Sequence, residues 1–138
     1  MQEQISIKRL LWASPLAGVA AALVNAIVFY IASAAGAIPP DIIVPNANEA
    51  ITVVPVMMAS FMAAIAAGII LAILAVLTRR PAKYFIAIAV IMLVLSFYTP
   101  LTIPEAIIPM ILVLNMMHVV AAAVIVWILL RLGSSKQE

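Results

Sequence analysis

Four stretches of this chain, residues 10–36, 51–78, 84–98 and 106–130, contain no Asp, Glu, Lys or Arg. A helix that crosses a bilayer needs about 20 apolar residues. Three of the stretches exceed that. The third reaches 18 residues when started at Pro81, about 27 Å of helix at 1.5 Å per residue. The runs are continuous and lack the alternation of barrel strands, so helices are expected. They are placed at about 10–36, 51–78, 81–99 and 103–131. With 68% hydrophobic and 9% charged residues, and a mean hydropathy of +1.32, no soluble fold of 138 residues could hide its apolar surface. A soluble globular domain, a disordered tail and a nucleic-acid module are excluded. The expectation is an all-α, integral membrane four-helix bundle forming one domain over residues 1–138.

The connections carry their own stop and start signals. Gly36 with Pro39 and Pro40 ends the first helix. Thr78-Arg79-Arg80-Pro81 reads as a tight turn, with Pro81 at the first position of the third helix. Pro100 ends that helix. Asn46 with Glu49, and Thr102 with Glu105, have capping-box spacing before the second and fourth helices. Pro55 and Pro109 fall in the first turns of those helices, where a bend is expected. The Ile42-Ile43-Val44 run of the longest loop is expected to lie on the membrane surface or against the bundle.

The charges fix an expected orientation. Lys8, Arg9, Arg79, Arg80, Lys83, Arg131 and Lys136 all fall on one side of the four spans. With Glu3 and Glu138 that side carries +5, while Asp41, Glu49 and Glu105 give the other −3. The positive-inside rule then places both termini and the Arg79–Lys83 turn in the cytoplasm. Trp12, Tyr84, Tyr98 and Trp127 lie near span ends, where aromatic belts form. The first apolar stretch is longer than the core of a signal peptide, so it is expected to be retained. Ala32-Ser33-Ala34 is the feature that resembles a cleavage site.

Small residues recur every four positions: Gly18, Ala22 and Ala26; Ala59, Ala63 and Ala67; Ala64, Gly68 and Ala72. Such stripes let helix backbones approach closely. Packing inside the bundle is the first expectation, and an interface between copies the second. Polar residues inside the spans are few. Asn25, Ser60, Ser96, Asn115 and His118 fall at similar depths and could meet in one layer. Asn115 and His118, three residues apart, share a helix face. The plain role for this layer is interhelical hydrogen bonding that fixes register. A ligand pocket, haem, pigment or metal ligation by His118, and proton transfer are the alternatives.

Hydrolytic catalysis needs a nucleophile with its base, a carboxylate pair or a metal cluster. One histidine and no acid within the spans make none of these, and the chain has no cysteine. The first span also lacks the embedded glutamate on which small four-span multidrug antiporters depend. A non-enzymatic chain without metal or cofactor is expected.

One further signal is a family resemblance. Leu10-Leu11 and Asn25, the Thr78-Arg79-Arg80-Pro81 turn followed by Phe85, Ser96 and Pro100, and the run Met117-His118-Val119-Val120-Ala121-Ala122 together carry it. On these residues the chain resembles a group of uncharacterised bacterial four-helix membrane proteins that share a domain of unknown function. The resemblance spans nearly the whole chain. It implies a bacterial plasma (inner) membrane and four helices, and no activity. The leading functional expectation is an accessory or scaffold protein that packs in the lipid bilayer against itself, as a homo-oligomer, or against a larger membrane complex. A small-ligand or ion transporter, channel or binding protein using the Asn25–Asn115–His118 layer is the alternative.

Overall fold

The structure, a computed structural model, describes residues 4–45 and 48–135. Asn46, with its expected capping role, and Glu3, Lys136 and Glu138, with their expected side, lie outside these residues. In chain order the elements are β1 (Gln4–Ile5), α1 (Ile7–Ala34), β2 (Ile43–Val44), β3 (Glu49–Ala50), α2 (Val53–Leu77), α3 (Pro81–Ser96), α4 (Ile108–Gly133) and β4 (Ser134–Ser135). A 3₁₀ turn at Thr99–Thr102 follows α3 and extends the third apolar element to 22 residues, Pro81–Thr102. The four helices are long and apolar enough to cross a membrane. Their outward surface keeps large apolar side chains exposed, among them Leu11, Val76, Ile108 and Trp127. Helices without a polar face suit a solvent of lipid rather than water.

Local chemistry explains most helix ends. Gly36 adopts φ +74, and the amides of Gly36 and Ala37 bond to the carbonyls of Ser33 and Ala32 at 3.0 and 2.9 Å. This is a Schellman closure, and it needs the left-handed conformation that glycine takes freely. Pro81 opens α3 at a position where no amide is required.

Several expected signals resolve differently. The α-helical part of α3 stops at Ser96, whose hydroxyl bonds back to the Leu93 carbonyl at 2.6 Å, and Pro100 sits inside the 3₁₀ turn rather than ending the span. The Thr102–Glu105 capping box does not form, and Glu49 does not stand at a helix start. Glu49 lies in β3, and α2 starts after Thr52 with no side-chain cap. Thr102 donates instead to the Thr99 carbonyl at 2.8 Å, and Glu105 has φ +61, which no helix allows. The start of α4 is thereby delayed to Ile108, with Pro109 in its first turn. Pro15 lies within α1, a position the spacing of the sequence did not single out.

The helices run up and down, and the chain ends meet. β1 pairs antiparallel with β4, the Ser6 amide donates to the Gly133 carbonyl at 2.9 Å, and the Arg9 guanidinium donates to the Ser134 carbonyl. Lys8, Arg9, Arg79, Arg80, Lys83 and Arg131 therefore sit at this terminal end of the bundle, where the Arg131 guanidinium lies 5.4 Å from the Trp127 ring centre. The β2–β3 hairpin and the 3₁₀ turn form the opposite, distal end.

Two apolar clusters make the core. The terminal one joins Leu10, Ala17, Ala64, Leu71, Phe85 and Leu129. The distal one joins Phe29, Ile38, Ile42, Met110, Leu114 and Met117. Ile42 is buried in it, so the loop run packs against the bundle. The Gly18 stripe of α1 and the Gly68 stripe of α2 are spent where these helices meet. A Cβ on Gly18 would stand 2.6 Å from the Phe61 ring, and one on Gly68 would collide with Ser14. Ala22 and Ala64 are likewise buried. Helix α3 is the exception: its buried residues, Pro81, Ala82 and Phe85, all belong to its first turns.

Candidate functional site

The third span is buried at its two ends, at Pro81, Ala82 and Phe85 and again at Pro100 of the 3₁₀ turn, and between them a cavity of about 450 Å³ opens between α3, α2 and α4. This falls within the range of small-molecule sites, about 300–1,000 Å³. The lining on α2 runs from Val56 to Ile70, so the cavity extends over about 21 Å at 1.5 Å per residue. Seven of its lining residues are alanines. Ala59, Ala63, Ala66 and Ala67 of α2 face Ala89 of α3 and Ala121 and Ala122 of α4. In α1 the same residue type closes a helix contact. Here the third helix stands off, and the alanines leave space.

The polar groups are gathered in the distal half. Asn25, on α1, is 3% exposed and lies at the back of the cavity. Its Nδ2 donates to Ser60 Oγ at 2.9 Å and to the Met117 carbonyl at 3.2 Å. The carbonyl of Met117 can only accept, so it fixes which way the amide points. Asn25 Oδ1 is buried and has no partner. The Ser60 hydroxyl donates to the Val56 carbonyl at 2.9 Å, and Ser96 donates to Leu93. His118 Nδ1 lies 2.7 Å from the Leu114 carbonyl, so Nδ1 carries a proton and, in the neutral ring, Nε2 carries the lone pair. The terminal half of the cavity is lined by apolar side chains alone, among them Ile70, Phe85, Ile125 and Val126.

A second cavity of about 400 Å³ lies at the distal end, under the β2–β3 hairpin and the 3₁₀ turn. Val44, Pro45, Thr99, Thr102 and Ile103 contribute to it. His118 and Leu114 line both cavities, so together they form the partition between them.

Of the five polar residues expected to share a layer, Asn25, Ser60, Ser96 and His118 line one cavity, and Asn25 and Ser60 bond directly. Asn115 lines neither cavity, and its Oδ1 is buried without a partner. A three-residue step turns a helix by about 300°, so Asn115 and His118 are neighbours on α4 without facing the same space. Two participants escaped the sequence reading. One is the backbone carbonyl of Met117, which no side-chain pattern can announce. The other is the alanine wall, whose four-residue spacing was visible but reads equally as packing.

Comparison with known proteins adds a family and no activity. Residues 6–135 match the model described as "Family of unknown function (DUF6069)". This agrees with the resemblance carried by the Arg-Arg-Pro turn and the Met-His pair. No curated protein and no solved structure matches the chain.

Proposed function

We propose, for a chain that belongs to the DUF6069 family of unknown function, that it binds a small amphipathic molecule within the membrane, in the cleft between α2, α3 and α4. The observation that carries this reading is the division of that cleft: an alanine-walled apolar half and a half lined by Asn25, Ser60, Ser96 and His118. Packing alone gives no reason for α3 to stand away from two alanine faces while α1 and α2 close on glycines. The chain acts as a binding or carrier protein and not as an enzyme, since both serine hydroxyls donate to backbone carbonyls rather than to a base and no carboxylate is among the lining residues. The cell membrane involved is the bacterial plasma membrane, with the terminal, basic end in the cytoplasm. The distal cavity then opens the site toward the outer side, with His118 between the two spaces.

The test is comparative. The wild-type chain and Ala63→Leu, whose added side chain fills the cleft, are extracted from their native membrane in lipid nanodiscs. Everything that accompanies each is measured by mass spectrometry. A molecule enriched with the wild type and lost with Ala63→Leu supports the reading. Identical companions in both count against it.

A second reading keeps an accessory or scaffold role. It rests on Ala59 and Ala63, which are exposed at four-residue spacing and could seat a helix of another copy or of a larger complex. Gly18, Ala22, Ala64 and Gly68 give it no support, because they are spent inside the chain. On this reading Ala59→Leu and Ala63→Leu change oligomer size or co-purifying protein. Unchanged assembly in both removes it.

A further inference from the structure

We infer that the molecule held in the α2–α3–α4 cleft is an uncharged amphiphile whose head donates a hydrogen bond, an alcohol or a phenol on an apolar tail. This rests on the proposed binding role and names the ligand class for that site. Donors and acceptors in the cleft form an unequal inventory. Every polar side chain lining the cleft has already committed a proton to the protein. Asn25 Nδ2 gives its two to Ser60 and to the Met117 carbonyl. Ser60 gives its own to Val56, Ser96 to Leu93, and His118 Nδ1 to Leu114. What is left uncommitted is acceptor capacity. Its sharpest expression is Asn25 Oδ1, buried and without a partner on a side chain that is only 3% exposed. A buried acceptor left unpaired loses the hydrogen bond it would make to water, so a ligand that supplies a donor recovers that loss.

The same inventory excludes other heads. A carboxylate, phosphate, ketone or ether brings acceptors to a site whose described residues offer no free donor. An ammonium would enter hydrocarbon with no carboxylate among the lining residues to receive it. The placement of the polar groups also orients the ligand. The hydroxyl meets Asn25 in the distal half, and the tail lies along the alanine faces toward Phe85 and Val126.

The test uses two probes that differ in one proton, 4-octylphenol and 4-octylanisole. Each is added at equal membrane mole fraction to the full chain in lipid nanodiscs, and bound molecules per chain are counted by native mass spectrometry. Ala63→Leu, with its cleft filled, supplies the background for non-specific partitioning. The expected result is one phenol per wild-type chain, with apparent affinity about tenfold above that of the anisole. In Asn25→Leu the ratio of phenol to anisole bound falls to about onefold. Equal binding of both probes by the wild type overturns the donor inference and leaves the binding site standing. Tighter binding of the anisole overturns it too. No binding of either above the Ala63→Leu background overturns the inference and the binding role together.

Discussion

At the scale of single residues, two kinds of site decide different things. Gly18 and Gly68 decide how closely α1 and α2 approach. Asn25 decides where α1, α2 and α4 are in register, through one side chain that reaches both Ser60 and the Met117 carbonyl. Hydrogen bonds between membrane helices average only about 0.6 kcal/mol, so Asn25 specifies more than it stabilises. The glycines matter more for stability. Gly68→Ala places a methyl group against Ser14, which is itself held to the Leu10 carbonyl at 2.8 Å. Overpacking of this kind costs about 1–3 kcal/mol. Ser14→Gly in the same chain removes the obstacle and is expected to restore most of the loss. Reversible unfolding in mixed detergent measures both, and a Gly68→Ala chain as stable as the wild type would contradict the assignment. At this scale the sequence was a good guide to depth and a poor one to direction. Counting along each span brought Asn25, Ser60, Ser96 and His118 to one level. Counting could not tell that Asn115, on the same helix as His118, turns elsewhere.

At the scale of elements, the four spans were legible because absence of charge over 20 or so residues leaves a chain few alternatives. The ends were harder. Gly36 and Pro81 behaved as punctuation because glycine and proline act through their own backbones. The Thr102–Glu105 pattern did not, because a cap requires the chain to enter the helix at that point, and Pro104, Glu105 and Pro109 postpone entry to Ile108. Least legible was the stance of α3, since periodicity says which residues are apolar and not how closely two apolar faces approach. Its anchor gives a direct check. Phe85 is 2% exposed, whereas its neighbour Ile86 is 45% exposed. Phe85→Ala is expected to destabilise the chain clearly more than Ile86→Ala. The cost should be below the roughly 3–5 kcal/mol of a soluble core, because lipid is as apolar as the bundle interior. Equal effects of the two variants would mean that α3 is held elsewhere along its length.

At the scale of the whole molecule, an up-and-down bundle with paired termini gathers Lys8, Arg9, Arg79, Arg80, Lys83 and Arg131 at one end and leaves Asp41, Glu49 and Glu105 for the other. The natural chain has no cysteine, so single replacements report sidedness cleanly. In intact cells, Asp41→Cys is expected to react with a membrane-impermeant maleimide and Lys83→Cys only after lysis. The reverse pattern would invert the bundle and turn the distal cavity toward the cytoplasm.

The two ends also differ in what they do. The terminal end is tied by β1, β4 and the Phe85 cluster, while the cleft runs from Phe85 toward the distal end and meets the distal cavity at His118. What lies between α2, α3 and α4 decides whether the chain binds a ligand there. A crystal structure of the wild-type chain grown from a lipidic mesophase tests that most directly. It is expected to show an elongated molecule along Ala63, Ala89 and Ala122, with a polar head within hydrogen-bond distance of Asn25 Oδ1. Ala89 and Met92 packed directly onto α2 and α4, or a helix of a second chain seated in their place, would contradict it.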